Sequence, residues 1–194
     1  MDKEYLCFIK DAYSNGLCDE DRDEIRRCHE DKLSLVRLAM RQQSIPWIAE
    51  KMREGVLTKE YLLRAYKDYL NGFVMYDCDG VDGYSYTWYV GYDSPNGIIA
   101  DVDVMHVSFT KDAIISVPTS KATTLYVSNG SDVHIVCDGY NHIQLYLFDD
   151  SRVTIDDADM ASNILIYRYC NNAVVEAGKY CFLKPKIFDK ELRL

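Results

Sequence analysis

The sequence predicts an α+β protein in which a small N-terminal helical domain is followed by a short β-solenoid of ten-residue repeats. Three observations predict this fold: helical periodicity in the first 75 residues, a strand-like repeat after residue 110, and negative charge concentrated after residue 75. We divide the 194 residues into a helical domain (1–75), a linking turn with the first β-strands (76–110), solenoid repeats (111–183) and a C-terminal cap (184–194).

The N-terminal part contains three amphipathic patterns that predict three or four short helices. Residues 19–42 carry acids early, bases late and apolar side chains at helical spacing. Ser44 caps a second pattern that Gly55 ends, and Thr58 caps a third that ends at the Asn-Gly pair 71–72. We expect these helices to form a small core that covers the open N-terminal end of the solenoid.

The solenoid prediction depends on five successive segments of about ten residues. Each begins with Ser or Asn, and these first positions are Ser131, Asn141, Ser151, Ser162 and Asn172. Each carries an aliphatic residue two positions later, namely Val133, Ile143, Val153, Ile164 and Val174. Such alternation buries one face of each short strand, and repeats that bury an aliphatic column by stacking on each other form solenoids. We therefore predict parallel pairing between rungs with all five aliphatic residues buried.

Weaker copies of the repeat lie at residues 111–120 and 121–130. The alternative fold is an antiparallel β-sandwich or barrel, because strands at this spacing are also typical of those folds. We favour the solenoid because the corner residue type and the inward positions recur in phase. Glu176 interrupts the second aliphatic column in the last unit, and the basic residues after it indicate a cap on the open edge.

The charge distribution bears on the class of partner. The net charge is −9, and residues 76–178 hold 15 acids against 4 bases, which is a net charge of −11. Such a surface disfavours direct binding of nucleic acid or of an anionic membrane. The N-terminus shows no uninterrupted apolar segment and no small-residue cleavage site, so we expect a cytoplasmic protein without a signal peptide or membrane span.

No cofactor or metal is predicted. The seven cysteines are odd in number and lack C-x-x-C pairs, which favours reduced thiols over a zinc site. Asp77, Asp79 and Asp82 are spaced like calcium ligands, but the positions that an EF-hand needs hold Val81, Asp82 and Trp88. We interpret the segment as an acidic turn that joins the two parts and leave calcium binding open.

The sequence also predicts no enzymatic activity. The acids that could act as paired carboxylates, as in polysaccharide-degrading β-helices, are Asp149, Asp150, Asp156, Asp157 and Asp159. They coincide with repeat corners, where Asp is a favoured turn residue. His106, His134 and His142 have ordinary places on outward strand faces or turns, and the ten-residue step differs from the hexapeptide repeat of left-handed β-helix acyltransferases. P-loop, G-x-G-x-x-G, H-E-x-x-H and G-x-S-x-G motifs are missing from the sequence.

Four sequence segments carry a resemblance: an "NGLC" turn, "KLSLVRLAM" followed by "PWIAEKMREG", the helical "LTKEYLLRAYKDYLNGFV", and the short "SxVxI" repeats. Together they resemble a loose group of uncharacterised proteins from gut Bacteroidota and their phages. The resemblance covers most of the chain and implies a phage or mobile-element setting. The group has no catalytic motif, so the resemblance implies no functional residues.

Two non-enzymatic functions remain. The first is a protein-interaction or assembly module, cytoplasmic or virion-associated, that binds a protein partner or itself. Its candidate contact residues are outward-facing tyrosines, namely Tyr140, Tyr146, Tyr167 and Tyr169, since aromatic side chains are typical interface anchors. Tyr146 and Tyr167 occupy the same position in their units, so we expect them in one patch. The alternative is an acidic decoy that presents the five carboxylates named above to a nucleic-acid-binding protein in place of phosphates.

Overall fold

The computed structural model describes residues 10, 14, 19–28, 31–76, 84–93, 97–157, 162–170, 172–177 and 182–184. The helices are α1 (Asp19–Cys28), α2 (Lys32–Ala39), α3 (Ile45–Arg53) and α4 (Lys59–Tyr66), and a 3-10 turn (Lys67–Tyr69) follows them. The strands are β1 (Met75–Tyr76), β2 (Ser85–Val90), β3 (Ile98–Ile99), β4 (Val104–Ser108), β5 (Ala113–Val117), β6 (Ala122–Ser128), β7 (Asp132–Cys137), β8 (His142–Leu147), β9 (Arg152–Asp156), β10 (Asn163–Arg168), β11 (Val174–Ala177) and β12 (Phe182–Lys184).

The strands form two sheets that stack along one axis. Sheet A has the order β1-β2-β4-β6-β8-β10-β12, and sheet B has the order β11-β9-β7-β5-β3. Within these sheets every strand pair is parallel except β1 with β2. The described part of the chain is therefore α+β with a β-solenoid, as predicted, and the antiparallel alternative is wrong.

Each turn of the solenoid consists of two ten-residue repeats. Val133 on β7 pairs with Val153 on β9, while Ile143 on β8 pairs with Ile164 on β10. From β2 onward, consecutive strands thus belong to opposite sheets, because each corner turns the chain back across the core. Equivalent positions in successive turns lie about 20 residues apart, which is twice the repeat that the sequence shows.

The core lies between the two sheets. Sheet B contributes the buried column Ile115, Ile135 and Ile155, and sheet A contributes the buried column Met105, Leu125, Leu145 and Ile166. Burying one such side chain stabilises the fold by about 1.5–3 kcal/mol relative to leaving it exposed. Since each turn alone has nothing to cover its inner face, this stabilisation depends on the stacking of turns.

The predicted inward position is wrong in the last unit. Val133, Ile143, Val153 and Ile164 are buried, but 37% of Val174 is exposed. Val174 pairs with Arg152, whereas Val175 pairs with the inward-facing Val153. Because strand side chains alternate with period two, a register shift of one residue moves every side chain to the opposite face.

The source of this shift is the corner that precedes β11. The corner side chain is buried at Ser131, Asn141, Ser151 and Ser162, and Ala173 is the buried residue at the next corner. Asn172, which the repeat pattern places there, is exposed. Glu176 pairs with outward-facing Thr154, so it does not interrupt the inward column as predicted.

Polar side chains at three buried corners, Ser131, Asn141 and Ser162, bind backbone groups that the turns leave unpaired, whereas the Ser151 hydroxyl has no partner among the described residues. The Ser131 hydroxyl donates to the carbonyl of Ser128 (2.6 Å) and accepts from the N–H of Thr110 (3.2 Å). The Asn141 Oδ1 accepts from the N–H of Lys121 at 3.2 Å. Buried backbone groups without partners are costly, so a short polar side chain is favoured at each buried corner.

The stack begins before the first recognised repeat. β2 pairs in parallel with β4, and β4 pairs in parallel with β6, so segment 76–110 already contributes a turn. At the other end β12 extends sheet A by pairing with β10. The predicted cap, 184–194, lies outside the described residues except for Lys184.

The helices pack on the outer face of sheet A, and the prediction that they cover the N-terminal end is wrong. Trp47, Ile48 and Met52 belong to one buried cluster with Trp88 and Tyr126, which point outward from β2 and β6. The N-terminal edge of sheet A pairs instead with the short β1. The physical reason is that large apolar side chains on this outer face require cover, whereas the edge of β2 is satisfied by β1 together with Asn71. The Asn71 N–H donates to the carbonyl of Trp88 at 2.9 Å, and its side chain binds both backbone groups of Val90.

The first predicted helix is in fact two helices. α1 ends at Cys28 and α2 begins at Lys32, because Asp31 interrupts the pattern. The Asp31 carboxylate accepts hydrogen bonds from the N–H of Leu33 (3.3 Å) and the hydroxyl of Ser34 (2.5 Å). Asp at this position caps the new helix and so separates the two segments.

The two predicted helix caps differ in the structure, and this difference gives a test. The Thr58 hydroxyl accepts from the N–H of Tyr61 at 3.1 Å, whereas Ser44 makes no capping hydrogen bond with its side chain. Thr58→Ala is expected to lower the free energy of unfolding by about 1 kcal/mol, measured by urea denaturation. Ser44→Ala is the matched control, with an expected change below about 0.5 kcal/mol. Equal losses in the two variants would contradict this assignment.

Candidate functional site

A column of rings follows the outer face of sheet A. Parallel pairing aligns Trp88 with His106, His106 with Tyr126, Tyr126 with Tyr146, and Tyr146 with Tyr167. We call these five residues the ring column. One ring comes from each of five successive strands of the sheet, so the column runs along the solenoid axis.

Stacking holds most of these rings face to face. The ring centroids of Tyr126 and Tyr146 are 4.8 Å apart and those of Tyr146 and Tyr167 are 4.7 Å apart, with interplanar angles of 13° in both pairs. These separations equal the spacing of neighbouring strands. His106 stacks on Trp88 at 5.3 Å and 8°, but it meets Tyr126 edge-on at 6.5 Å and 73°. Each such pair stabilises the face by about 0.5–1.5 kcal/mol beyond its buried area.

A second, shorter stack lies beside the column. Phe148 and Tyr169 stack at 4.7 Å and 22°, and Tyr169 also approaches Tyr146 at 6.0 Å. Burial raises the pKa of Tyr146 and of Tyr169, and neighbouring tyrosines raise them further. Both phenols therefore stay protonated at neutral pH and can donate hydrogen bonds.

Burial changes along the ring column. Trp88, His106 and Tyr126 are buried and lie next to the helical domain. Tyr146 and Tyr167 are half-buried, although they continue the same column. The outer face therefore extends from a part that is fully buried to a part that solvent still reaches.

The corner beside the ring column has a repeated left-handed backbone. Residues with positive φ recur there at Gly91 (56°), Phe109 (55°), Asn129 (55°) and Asp149 (56°). A Cβ at Gly91 would lie 2.1 Å from Cε of Lys59, so α4 approaches this corner closely. Asn and Asp tolerate this conformation better than other residues with side chains, which favours them at two of the four corners.

Two of these corner side chains bind the helical domain directly. The Asn129 Nδ2 donates to the carbonyl of Ala49 in α3 at 3.2 Å. An Asp149 carboxylate oxygen lies 3.6 Å from Nε of Arg53, the last residue of α3. Burial raises the pKa of Asp149, while the Arg53 guanidinium lowers it in part. α3 is thus held along the corner by one hydrogen bond and one ion pair.

A hydrogen-bond relay connects His106 to α3. The Ser128 hydroxyl lies 2.8 Å from the His106 Nε2 and donates to the Asn129 Oδ1 at 2.7 Å. Because its single hydrogen is used toward Asn129, Ser128 accepts from His106, which assigns the proton of neutral His106 to Nε2. The His106 Nδ1 is buried and has no hydrogen-bond partner among the described residues. Burial lowers the pKa of His106 to about 3, so the imidazole is neutral at physiological pH.

The contact between Ser128 and His106 is not arranged for nucleophilic catalysis. A general base must accept the hydroxyl proton of the nucleophile, whereas this imidazole donates to the hydroxyl. Both side chains are also fully buried beneath the helices. The relay therefore connects the helical domain to sheet A and has a structural role.

The predicted tyrosines occupy three different environments. Tyr146 and Tyr167 stack on one another, as their shared position in the repeat indicates. Tyr169 belongs to the neighbouring stack with Phe148. Tyr140 lies in the corner between β7 and β8, is 61% exposed, and does not belong to the column.

The predicted acidic residues do not form one cluster. Asp149 and Asp150 follow β8 at one corner, whereas Asp156 and Asp157 lie at the end of β9, at the opposite corner. Asp150 and Asp156 are six residues apart along the extended β9 segment, which separates the two pairs by roughly 20 Å at about 3.3 Å per residue. Asp157 accepts from the N–H of Ser162 at 3.0 Å, which is the role of a turn residue. Asp159 lies outside the described residues.

The described residues contain no group of three or more His, Cys, Asp or Glu side chains that could hold a metal ion. Asp77, Asp79 and Asp82, the candidate calcium ligands, lie outside these residues. Among the helices that the structure describes, none is both long enough and apolar enough to span a membrane.

Sequence reasoning missed the buried part of the ring column, namely Trp88, His106 and Tyr126. The available signal was their spacing of 18 to 21 residues, continued by Tyr146 and Tyr167. This spacing corresponds to one turn, so a search at twice the repeat length would have aligned all five rings. His106 does lie on an outward strand face, as predicted, but it is fully buried there, which the sequence did not indicate.

Comparison with known proteins gives no relative, since no family model, curated protein or solved structure matches the chain. The functional proposal therefore depends on the geometry of the ring column.

Proposed function

We propose that the protein is a non-enzymatic interaction module that binds a protein partner through the half-buried end of the ring column, at Tyr146 and Tyr167. One observation carries this proposal: the outer face that is buried against helices at Trp88 and Tyr126 continues in the same register to these two tyrosines. A face of this composition packs well against a second apolar surface. Its accessible end is thus suited to extend that packing to another protein.

The stacked arrangement favours binding energetically. Tyr146 lies between Tyr126 and Tyr167 at 4.8 Å and 4.7 Å, so its ring is already held in one orientation. A side chain ordered before binding loses little conformational freedom on association. Tyrosine also combines a large apolar ring with a hydroxyl that can remain hydrated, as is common for interface anchors.

The charges support a protein partner over nucleic acid. Residues 76–178 carry a net charge of −11. Two of their four bases lie close to acids, with Lys121 3.5 Å from Asp101 and Arg152 3.8 Å from Asp132. Repulsion from this charge also opposes self-association at low salt. With the resemblance noted above, we place the partner in a bacterial cytoplasm or a phage virion.

The test is truncation of the two tyrosines. After capture of the partner from the native host, its dissociation constant is measured for the wild type and for Tyr146→Ala plus Tyr167→Ala. The double variant is expected to weaken binding about 30-fold or more, which corresponds to about 2 kcal/mol. Tyr140→Ala removes an exposed tyrosine outside the column, so it is the matched control and should bind like the wild type.

An acidic decoy would behave in the opposite way. Its association would fall steeply with added salt, because it depends on long-range charge. Neutralising Asp149, Asp150, Asp156, Asp157 and Asp159 together would abolish such binding, and the tyrosine double variant would leave it intact. Binding with this salt dependence and these variant effects would contradict the interaction module and support the acidic decoy. Melting curves of every variant show whether the fold is preserved.

A further inference from the structure

We propose that the helical domain is an acid-released cover of the ring column. In mild acid α3 and α4 separate from sheet A while the solenoid stays folded, which exposes Trp88 and Tyr126 beside Tyr146. The consequence for partner binding rests on the proposed function, whereas the release itself does not. The proposal follows from the place of His106 in the interface and from the contacts that hold α3.

His106 lies under the helical domain with no charge placed to accept its proton. β2 presents Trp88 to it, β6 presents Tyr126 and Ser128, and the relay through Asn129 ends on a backbone carbonyl of α3. Among the described residues, the charged groups along the corner of this interface are Glu50, Arg53, Lys59 and Asp149. Lys51 is buried as well, and Glu54 pairs with it at 2.7 Å. The low pKa of His106 arises from burial, without a contribution from these charges.

Protonation of His106 is incompatible with the docked helices. The added proton would reside on Nδ1, which is buried and has no acceptor among the described residues. The docked state therefore binds this proton only near pH 3, whereas a solvent-exposed imidazole binds it near pH 6.5. Each pH unit below about 6.5 shifts the equilibrium about tenfold toward the detached state, and this effect ends near pH 3.

Asp149 acts in the opposite direction. Since burial raises its pKa, Asp149 takes up a proton more readily when the helices are docked, and this favours the docked state in acid. The ion pair with Arg53 lowers this pKa in part, so the opposing effect of Asp149 is smaller than burial alone would give. Asp149→Asn removes both effects, so it isolates the contribution of His106.

The solenoid core has no corresponding sensitivity to acid. The described side chains buried between the two sheets are apolar, except for uncharged residues such as Thr87 and Thr123, and none of them gains a charge when the pH falls from 7 to 4. Stacking of turns continues to bury these side chains after the helices have left. Release of the cover and unfolding of the solenoid are therefore separate events.

The experiment follows the full-length protein from pH 7 to pH 4 with three signals. Tryptophan fluorescence reports on Trp47 and Trp88, which both lie in the interface cluster. Limited proteolysis reports on cleavage of the helical domain, and far-UV circular dichroism reports on the strands. We expect a red shift of fluorescence and cleavage of the helices near pH 5, with the strand signal retained.

The decisive variant is His106→Gln, which keeps a donor for Ser128 but does not titrate. It should detach at least one pH unit lower than the wild type. His134→Gln is the matched control, because His134 is half-buried on the outer face of sheet B, away from the helices. Its release midpoint should equal that of the wild type.

Several results would overturn the proposal. One is the simultaneous loss of the helical and strand signals. Another is a pH midpoint of helix release in His106→Gln that equals that of the wild type. A third is a wild-type equilibrium between docked and detached helices that does not change with pH. If His106→Gln is already detached at pH 7, the pH dependence of the wild-type equilibrium between docked and detached helices is the deciding measurement. A tenfold change of this equilibrium per pH unit is expected, and an equilibrium that does not change with pH would contradict the proposal. Tyr167→Ala should leave the midpoint unchanged. A protein that releases its helices and binds no partner would contradict the proposed function alone.

Discussion

Leu145→Ala is expected to lower the free energy of unfolding by about 2–5 kcal/mol. Leu145 is fully buried on β8, where its strand lies between β6 and β10. It pairs in register with Leu125 on one side and Ile166 on the other. Because stacked turns fix the position of each neighbouring strand, the walls of the resulting cavity have little freedom to collapse. Urea denaturation of the wild type and the variant measures the difference.

Two valine substitutions that make the same chemical change test the register of β11. Val153→Ala removes a fully buried side chain from β9, and Val174→Ala removes one that is 37% exposed on the adjacent β11. The first substitution should cost clearly more than 1 kcal/mol, while the second should stay within about 0.5 kcal/mol. Comparable losses would mean that Val174 faces inward and that the shifted register of β11 is wrong.

The strands and their inner faces could be predicted because period-two alternation is a local property. Val133, Ile143, Val153 and Ile164 are buried, and the sheets are parallel, as the repeat indicates. The polar residues at the start of two units also have a local cause, since Ser131 and Asn141 bind carbonyls of their own corners. Features with such local causes can be recognised in the sequence without the tertiary structure.

The size of a turn could not be predicted in the same way. Ten-residue units with the same alternation could close one turn each or half a turn each, because alternation does not specify the angle of the corner. Left-handed residues do not supply this angle, because they occur at both sets of corners, at Ser120 and Gly139 as well as at Asn129 and Asp149. At Phe109 the left-handed conformation occurs in a bulky residue. A bulky residue rarely adopts positive φ, and the strain of roughly 1–2 kcal/mol must be offset by tertiary packing. Only the fold as a whole explains that conformation.

The candidate site was predictable in its accessible part and not in its buried part. Tyr146 and Tyr167 share a repeat position, so their contact follows from the stacking of equivalent units. Trp88 and His106 precede the recognised repeats, and their burial depends on where the helices pack. Helical periodicity identifies the apolar face of α3 but not the surface that it covers. The prediction placed the helices at the wrong surface for this reason.

Trp88→Ala is expected to cost about 3–5 kcal/mol of unfolding free energy and to loosen the helical domain. Trp88 is buried between sheet A and the helices, where its ring stacks on His106 at 5.3 Å. Its Nε1 donates to the Ser108 hydroxyl at 3.0 Å. Truncation removes the first ring of the column and leaves a large cavity under the helices. Urea denaturation gives the loss, and protease sensitivity at neutral pH reports the state of the helices.

Trp88→Phe separates the ring from the hydrogen bond. Phenylalanine keeps an aromatic face for His106 but leaves the Ser108 hydroxyl without its donor, so the expected loss is about 1–3 kcal/mol. Ser108 can still donate to the carbonyl of Tyr89, which lies 3.5 Å away, and this moderates the loss. If stacking holds the helices on sheet A, Trp88→Phe should remain resistant to protease while Trp88→Ala is cleaved. Equal cleavage of the two variants would show that the hydrogen bond, and not the stacked ring, keeps the ring column covered.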